Sequence, residues 1–356
     1  MEMLRTVKIK GGDFAIGQPG KVLIIAEAGY NHGGDIHQAK SLVKEAKRTG
    51  ADVVKFQIVY ADRFLSKGIL MTQDEKKTMA ERDDLYRELK RAELPSESYF
   101  ELMELAEKNN ILMTASFTEK ETADFLARLG VPFIKIGSGE VTNLPFLRYA
   151  AGKNLPIVLS TGMATLEEVE EAVRTIWEAG NRDICLLHCT SRYPTDPTDA
   201  NLRAIKTLKE TFPSIPIGYS DHTLGLLAPI VAVSLGAVVI EKHFTLDKTK
   251  PGADHCTSLE PDEFAEMVEA IRKIEVLLGS PLKAPCRAEG EMRILARRSL
   301  VVQREMLPGQ VFTENDIGAM RPATGLPPSS WSSVIGRRAK KKLTRGEILT
   351  SGKIEW

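Results

Sequence analysis

Eight short apolar runs, each closing on a small or polar residue or just before one, constrain this 356-residue chain more than any other feature. They are VLIIAEAG (22–29), VVKFQ (53–57), ILMTASF (111–117), FIKIGSGE (133–140), IVLSTG (157–162), DICLLHC (183–189), IGYSDH (217–222) and VVIEKHF (238–244). Between most of them lie stretches such as HQAKSLVKEAKRTG, KETADFLARLG and LEEVEEAVRTIWEAG. Their apolar residues recur at three and four spacing, as on one face of a helix. Strands alternating with helices require a parallel sheet. Eight such units over about 280 residues predict a closed (β/α)8 TIM barrel, with an open doubly wound sheet as the alternative. The charged segment 60–95 has no strand pattern and reads as an insertion.

After residue 279 the rhythm changes. The barrel is expected over 1–280, a linker with proline and charge over 281–293, and a small β-rich domain over 294–356. A domain of that size is marginal alone and is expected to dock onto something.

Charge narrows the partners. The 48 basic and 48 acidic residues cancel, so no basic surplus points to nucleic acid or an anionic membrane. The four cysteines include no CxxC pair, which argues against a disulfide scaffold and fits a reducing cytoplasm. MEMLRTVKIKGGDF has no apolar core of a signal peptide. The longest uncharged run, 224–240, contains Gly225, Pro229 and Gly236, and reads as a buried helix running into a strand.

In a barrel of this kind the chemistry sits at the C-terminal ends of the strands. Those ends carry Glu27; Lys55 and Gln57; Lys135, Ser138 and Glu140; Ser160; Ser191 and Tyr193; Ser220 and His222; Glu241 and His243. Side chains two apart on a strand share a face, so Lys55 and Gln57, Ser220 and His222, and Glu241 and His243 can all point at the mouth. Lysines within apolar runs need an anion or a partner to offset their desolvation. Lysines and serines converging on one mouth suit a phosphate or carboxylate. His222 and His243, on consecutive strands, form a plausible divalent-metal half-site, balanced against two ordinary rim hydrogen bonds. His188, Cys185 and Cys189 read as packed interior residues.

With these residues assembled, the chain resembles the sialic acid synthase family. AEAGYNHGG, GADVVKFQ, IKIGSGE, LSTGM, LLHCTSRYP, GYSDHT, EKHFTLDK and PGADHCTSLEP occur in family order. RRSLV, VFTENDI, RPATG and VIGRRAK resemble its C-terminal antifreeze-like (SAF) domain. The resemblance implies condensation of phosphoenolpyruvate with an open-chain N-acetylated hexosamine, giving a nine-carbon 2-keto acid. It implies Mn2+ on His222 and His243, with Mg2+ or Co2+ as alternatives. It implies phosphoenolpyruvate on Lys55, Lys135, Ser138, Ser160, Ser191 and Ser220, and the sugar on Glu27, Gln57, Tyr193 and Asp254. Glu140 is implied to manage a proton or the attacking water, with Glu27 and Lys135 also catalytic. Arg321 is implied to reach the sugar's N-acyl group from the small domain of a partner in a domain-swapped homodimer. Competing readings are a pseudaminic acid or 6-phosphosugar-specific synthase, a Schiff-base aldolase using Lys135 or Lys55, and a sugar- or ice-binding protein without catalysis.

Overall fold

The computed structural model describes residues 6–9, 15–65, 85–252 and 254–356. The chain divides into two compact units, Met1–Gly279 and Ser280–Trp356.

The first unit opens with a small hairpin, β1 (Val7–Lys8) against β2 (Ala15–Ile16). Eight strands follow: β3 (Leu23–Gly29), β4 (Val53–Ile58), β5 (Leu112–Phe117), β6 (Ile134–Ile136), β7 (Ile157–Ser160), β8 (Ile184–Cys189), β9 (Ile217–Asp221) and β10 (Val239–His243). They pair in parallel in chain order, and β10 closes onto β3. Each expected run supplies one strand, and the closed barrel replaces the open-sheet alternative. The fourth strand is shorter than expected. It stops at Ile136, and Ser138–Glu140 forms a 3-10 turn. The two glycines of GSGE give little preference for extended pairing.

The helices follow from their ends as well as their faces. Asp35 caps the helix Ile36–Arg48, accepting from the His37 N–H at 2.7 Å. Thr165 and Glu168 make a reciprocal capping box ahead of Leu166–Glu178. Gly130, left-handed at φ 81°, ends Lys120–Leu129. Their apolar faces cover the outward rows of the strands, including Ile24, Val54, Phe56, Leu159 and Ile240.

Inside the barrel, Leu23, Ile25, Val53, Phe133, Val158, Cys185, Leu187 and Val239 form a separate apolar cluster with Val7, Ile9 and Ile16 of the hairpin segment. The hairpin plugs the N-terminal end. Two residues further along the same inward rows stand Glu27, Lys55, Lys135, Ser160 and Glu241.

The run 224–240 does hold a helix, Leu227–Ser234, leading into β10, but it is not buried all round: Leu224 and Leu227 are 65% and 70% exposed. Within the segment expected as an insertion, the helices Ala61–Phe64 and Leu85–Ala92 are described, and residues 66–84 lie outside the described residues. Among the described residues no helix is long and apolar enough to cross a membrane.

In the second unit, β11 (Ser299–Val302) pairs with β12 (Ile317–Met320), and β13 (Arg338–Ala339) with β14 (Ile354–Glu355), both antiparallel. Leu300, Phe312, Val334, Leu343 and Leu349 centre its core. Buried Asp316 ties a turn together: its Oδ2 accepts from the Thr313 N–H at 2.8 Å and the Thr313 hydroxyl at 2.6 Å, and its Oδ1 pairs with Arg304. The stretch expected as a linker contains a 3-10 turn, Arg287–Glu289, and a helix, Gly290–Ala296, that runs past residue 293. Residues 280–356 carry 14 basic and 7 acidic side chains, so this unit is basic and the barrel unit correspondingly acidic.

Candidate active site

The charged layer is one connected set. Lys55 Nζ lies 2.8 Å from Glu27 and 3.7 Å from Glu241. Lys135 Nζ lies 3.6 Å from the other oxygen of Glu241 and donates to Ser160 Oγ at 2.7 Å. The Ser220 hydroxyl donates to Glu241 at 2.9 Å, and Gln57 Nε2 donates to Glu27 at 2.9 Å. All but Gln57 are buried. The partners that the buried lysines require are therefore two glutamates, and Glu241 bridges the two ammonium groups.

Burial sets the electrostatics of this layer. It raises the Glu27 carboxyl, which Lys55 only partly offsets. Burial works equally against a charged Glu241, but Lys135 and Lys55 outweigh it and hold that carboxyl below its ordinary value. Lys55 ends above its ordinary value because Glu241 and Glu27 overcome burial, whereas Lys135 is pushed down by burial despite Glu241.

Beside this layer stands an imidazole pair. The His222 and His243 ring centres are 5.2 Å apart, and the Tyr193 ring lies 4.0 Å from His222 and 5.7 Å from His243. His222 Nδ1 lies 2.8 Å from the Thr190 carbonyl oxygen, which makes it the donor and leaves Nε2 as an electron-pair donor. His243 Nδ1 and Asp254 Oδ2 face each other at 3.5 Å, each buried without a hydrogen bond. Burial, reinforced by His222, holds His243 well below the ordinary histidine range, so its imidazole is neutral. Burial lifts the Asp254 carboxyl to about 7, with Glu27 adding repulsion. Burial also works against a charged His222, but the Cys189 sulfur and the Thr190 carbonyl outweigh it and hold that imidazole above its ordinary value. Two imidazoles with orphaned buried polar atoms beside them suit a divalent ion that displaces the proton and takes its remaining ligands from water and substrate. Among the described residues no group of three His, Cys, Asp or Glu side chains is placed to hold a metal ion.

Two glycines let the strand ends converge. A Cβ on Gly162 would sit 2.3 Å from Ser191 Oγ and 2.9 Å from Ser138 Oγ, whose hydroxyl accepts from the Gly162 N–H at 2.9 Å. A Cβ on Gly29, at φ 54°, would meet Asp254 at 3.2 Å and Glu27 at 3.5 Å. A cavity of about 820 Å3 opens here, lined by Gln57, Ser138, Ser191 and Tyr193 with Tyr30, Phe64 and Leu89. Glu140 lines it too, on the 3-10 turn, accepting from Asn143 Nδ2 at 2.7 Å and standing outside the charged layer.

The fold thus gathers Glu27, Lys55, Gln57, Lys135, Ser138, Ser160, Ser191, Tyr193, Ser220, His222, His243 and Asp254 at one end of one barrel. Arg321 belongs to the second unit, exposed just beyond β12. Sequence reasoning missed Cys189, whose sulfur lies 3.8 Å from His222 Nδ1. The reading of Cys189 as an inert packed residue is incomplete: it is buried, but beside an imidazole of the site. Its signal was available, since Cys185, Leu187 and Cys189 alternate onto the barrel interior. His188 does pack as expected, its Nε2 held 2.9 Å from the Ala200 carbonyl oxygen.

A closed (β/α)8 barrel thus carries two buried lysines and an adjoining imidazole pair at its mouth. The chain belongs to the NeuB family, whose model matches residues 42–283, and residues 297–355 match the SAF domain. It is 43% identical to the N,N'-diacetyllegionaminic acid synthase of Legionella pneumophila, over 93% of this chain and 94% of that one. It is 38% identical to the human N-acetylneuraminate-9-phosphate synthase, over 88% of each chain. A solved N-acetylneuraminic acid synthetase from Leptospira borgpetersenii matches with a TM-score of 0.72 at 36% identity, over 81% of this chain and 96% of that one.

Proposed function

We propose that the barrel condenses phosphoenolpyruvate with an open-chain N-acetylated hexosamine and water, releasing phosphate and a nine-carbon 2-keto acid. The observation that carries this reading is the bridging of Lys55 and Lys135 by Glu241 beside His222 and His243. It places two buried ammonium groups, balanced by Glu27 and Glu241, where they can donate to an anion next to a site for a carbonyl.

Lys55 and Lys135, with Ser138, Ser160, Ser191 and Ser220, hold the phosphate and carboxylate, so that C3 of the enol faces the sugar aldehyde. Their gain is orientation and charge stabilisation. Glu27, Gln57, Tyr193 and Asp254 hold the sugar hydroxyls. C3 attacks the aldehyde carbon, water adds at C2, and the tetrahedral adduct loses phosphate by C–O cleavage. Glu140, at the cavity wall, takes the proton from that water, one proton is taken up by the alkoxide on the former aldehyde oxygen, and the C2 hydroxyl proton leaves with the phosphate as the ketone forms. Mn2+, or Mg2+ or Co2+ in its place, would be held by His222 and His243 and would supply Lewis acidity toward the aldehyde.

N-acetylmannosamine and its diacetamido-trideoxy analogue are the acceptors we favour, because AEAGYNHGG and PGADHCTSLEP resemble the sialic and legionaminic branch. The test is incubation with phosphoenolpyruvate, Mn2+ and a panel of N-acetylated hexosamines, followed by phosphate assay and product mass. EDTA abolishes turnover and Mn2+ restores it. No phosphate release with any acceptor overturns the reading.

One observation favours a Schiff-base aldolase: burial pushes the Lys135 ammonium down, toward the nucleophilic amine. Borohydride with a keto acid traps such an enzyme covalently and leaves a synthase unmodified.

A homodimer in which each basic second unit caps an acidic barrel of the partner suits the opposed charges of the two units. Arg321 would then reach the partner's sugar site. Mixing Arg321→Ala with Lys135→Ala subunits recovers activity in heterodimers if sites are shared; none despite confirmed exchange means that Arg321 serves its own barrel or no site.

A further inference from the structure

On the outer face of the barrel wall, directly behind the imidazole pair, lies a second buried charge pair. Asp221 and Lys242 are register partners on β9 and β10 and lie 2.6 Å apart. Both side chains are fully buried. The pair is tied in by further bonds: the Tyr219 hydroxyl donates to Asp221 Oδ1 at 2.8 Å, as does the Thr223 N–H at 2.9 Å. The Thr223 hydroxyl donates to Asp221 Oδ2 at 3.1 Å, and Lys242 Nζ donates to the Thr223 carbonyl oxygen.

The placement of these bonds matters. His222 lies between Asp221 and Thr223, and His243 follows Lys242. The carboxylate therefore folds the chain around His222, while the ammonium ties that fold to the strand that carries His243. A buried ion pair is a weak source of stability, since a well-packed apolar pair of similar volume often serves as well or better. Its better-attested use is to fix one register, and register is what sets the spacing of two imidazoles on neighbouring strands.

We propose that Asp221 and Lys242 are positioning residues, which hold the loop at His222 in register with His243 and thereby set the separation of the two imidazoles for a divalent cation. This rests on the two-histidine reading above. Neither residue touches substrate or metal in this account, and each acts through the backbone of the histidine beside it.

The test uses full-length protein without substrate, and Mn2+ as the probe. Free Mn2+ is read by its solution electron paramagnetic resonance signal, and thermal unfolding is followed on the same samples. The variants are the apolar pair Asp221→Leu with Lys242→Met, and the single Asp221→Asn. The apolar pair is expected to fold with an unfolding midpoint close to wild type and to bind Mn2+ about tenfold or more weaker, the scale seen when outer groups that orient metal ligands are removed. Asp221→Asn is expected to weaken Mn2+ severalfold, and decides alone if the double variant does not fold. A merely structural pair gives the opposite pattern, a lowered midpoint with unchanged Mn2+ affinity. Wild-type affinity in either folded variant overturns the proposal. If the wild-type chain leaves the free Mn2+ signal undiminished, the two-histidine reading itself fails and takes this one with it.

Discussion

The two ends of the barrel interior are built on the same strands and do opposite things. At the N-terminal end, Leu23, Ile25, Val53, Phe133 and Val158 pack against the hairpin segment and carry no charge. Two residues further along, Glu27, Lys55, Lys135 and Ser160 occupy the same inward rows. The apolar end gains free energy by burial alone, roughly 25 cal/mol per Å2 of apolar surface. The charged end gains little from burial, because each ionised group loses its water and recovers it only through a partner. One end stabilises the barrel; the other, on the function proposed above, holds groups for a substrate.

The largest effect on stability is expected at the apolar end. Phe133→Ala should cost about 3–5 kcal/mol in chemical denaturation, by lost transfer energy plus a cavity. The Michaelis constant for phosphoenolpyruvate in the folded fraction should barely move. A marked rise in that constant would show that the two ends are not separable.

A smaller loss is expected in the second unit, whose core resembles the apolar end but contains one charge. Burial alone would raise the Asp316 carboxyl, but Arg304 and Thr313 outweigh it and hold it below its ordinary value. A lowered folded value means stability that is present above the unfolded carboxylate value of about 3.9 and is lost as pH falls through the folded one. Asp316→Asn should destabilise this unit by about 1–3 kcal/mol at neutral pH. It should also flatten the fall in stability below about pH 4. An unchanged acid limb would place the responsible carboxylate elsewhere.

The smallest stability change belongs to the charged end. Lys135→Met combined with Glu241→Gln removes one charge of each sign and leaves Lys55 on Glu27. Stability should stay within about 1 kcal/mol of wild type or rise. Turnover should fall by about a thousandfold or more. A loss of stability as large as that of Phe133→Ala would erase the distinction between the two ends.

Much of this arrangement was legible in the chain. Alternation put Lys55 with Gln57, and Ser220 with His222, on one face each, and the barrel reading made the C-terminal ends of those strands the mouth. The need of Lys55 and Lys135 for counter-charges was equally legible. That Glu241 would bridge both was not, since β10 is far from β4 and β6 in sequence and meets them only across a closed barrel. The contact of His243 with Asp254 was hidden for a similar reason: ten residues lie between them beyond the strand end, with no periodicity to read. Glu140 was placed at a strand end because the run FIKIGSGE was read as one strand through its glycines, where the strand in fact stops at Ile136 and a 3-10 turn begins. Arg321 sits in a unit whose relation to the barrel no pattern within a single chain encodes.

The central claim is that the charged end is a seat for phosphoenolpyruvate, and the most direct test is the change in unfolding midpoint that this ligand produces. A ligand at a hundred times its dissociation constant stabilises the folded chain by about 2.7 kcal/mol. We expect wild-type protein with phosphoenolpyruvate near a hundred times its dissociation constant to show an upward shift in midpoint equivalent to a stabilisation of that order. We expect Lys135→Met, compared with its own ligand-free midpoint, to show almost none. An equal shift in both proteins would contradict the account, because the ligand would then be bound where Lys135 is not.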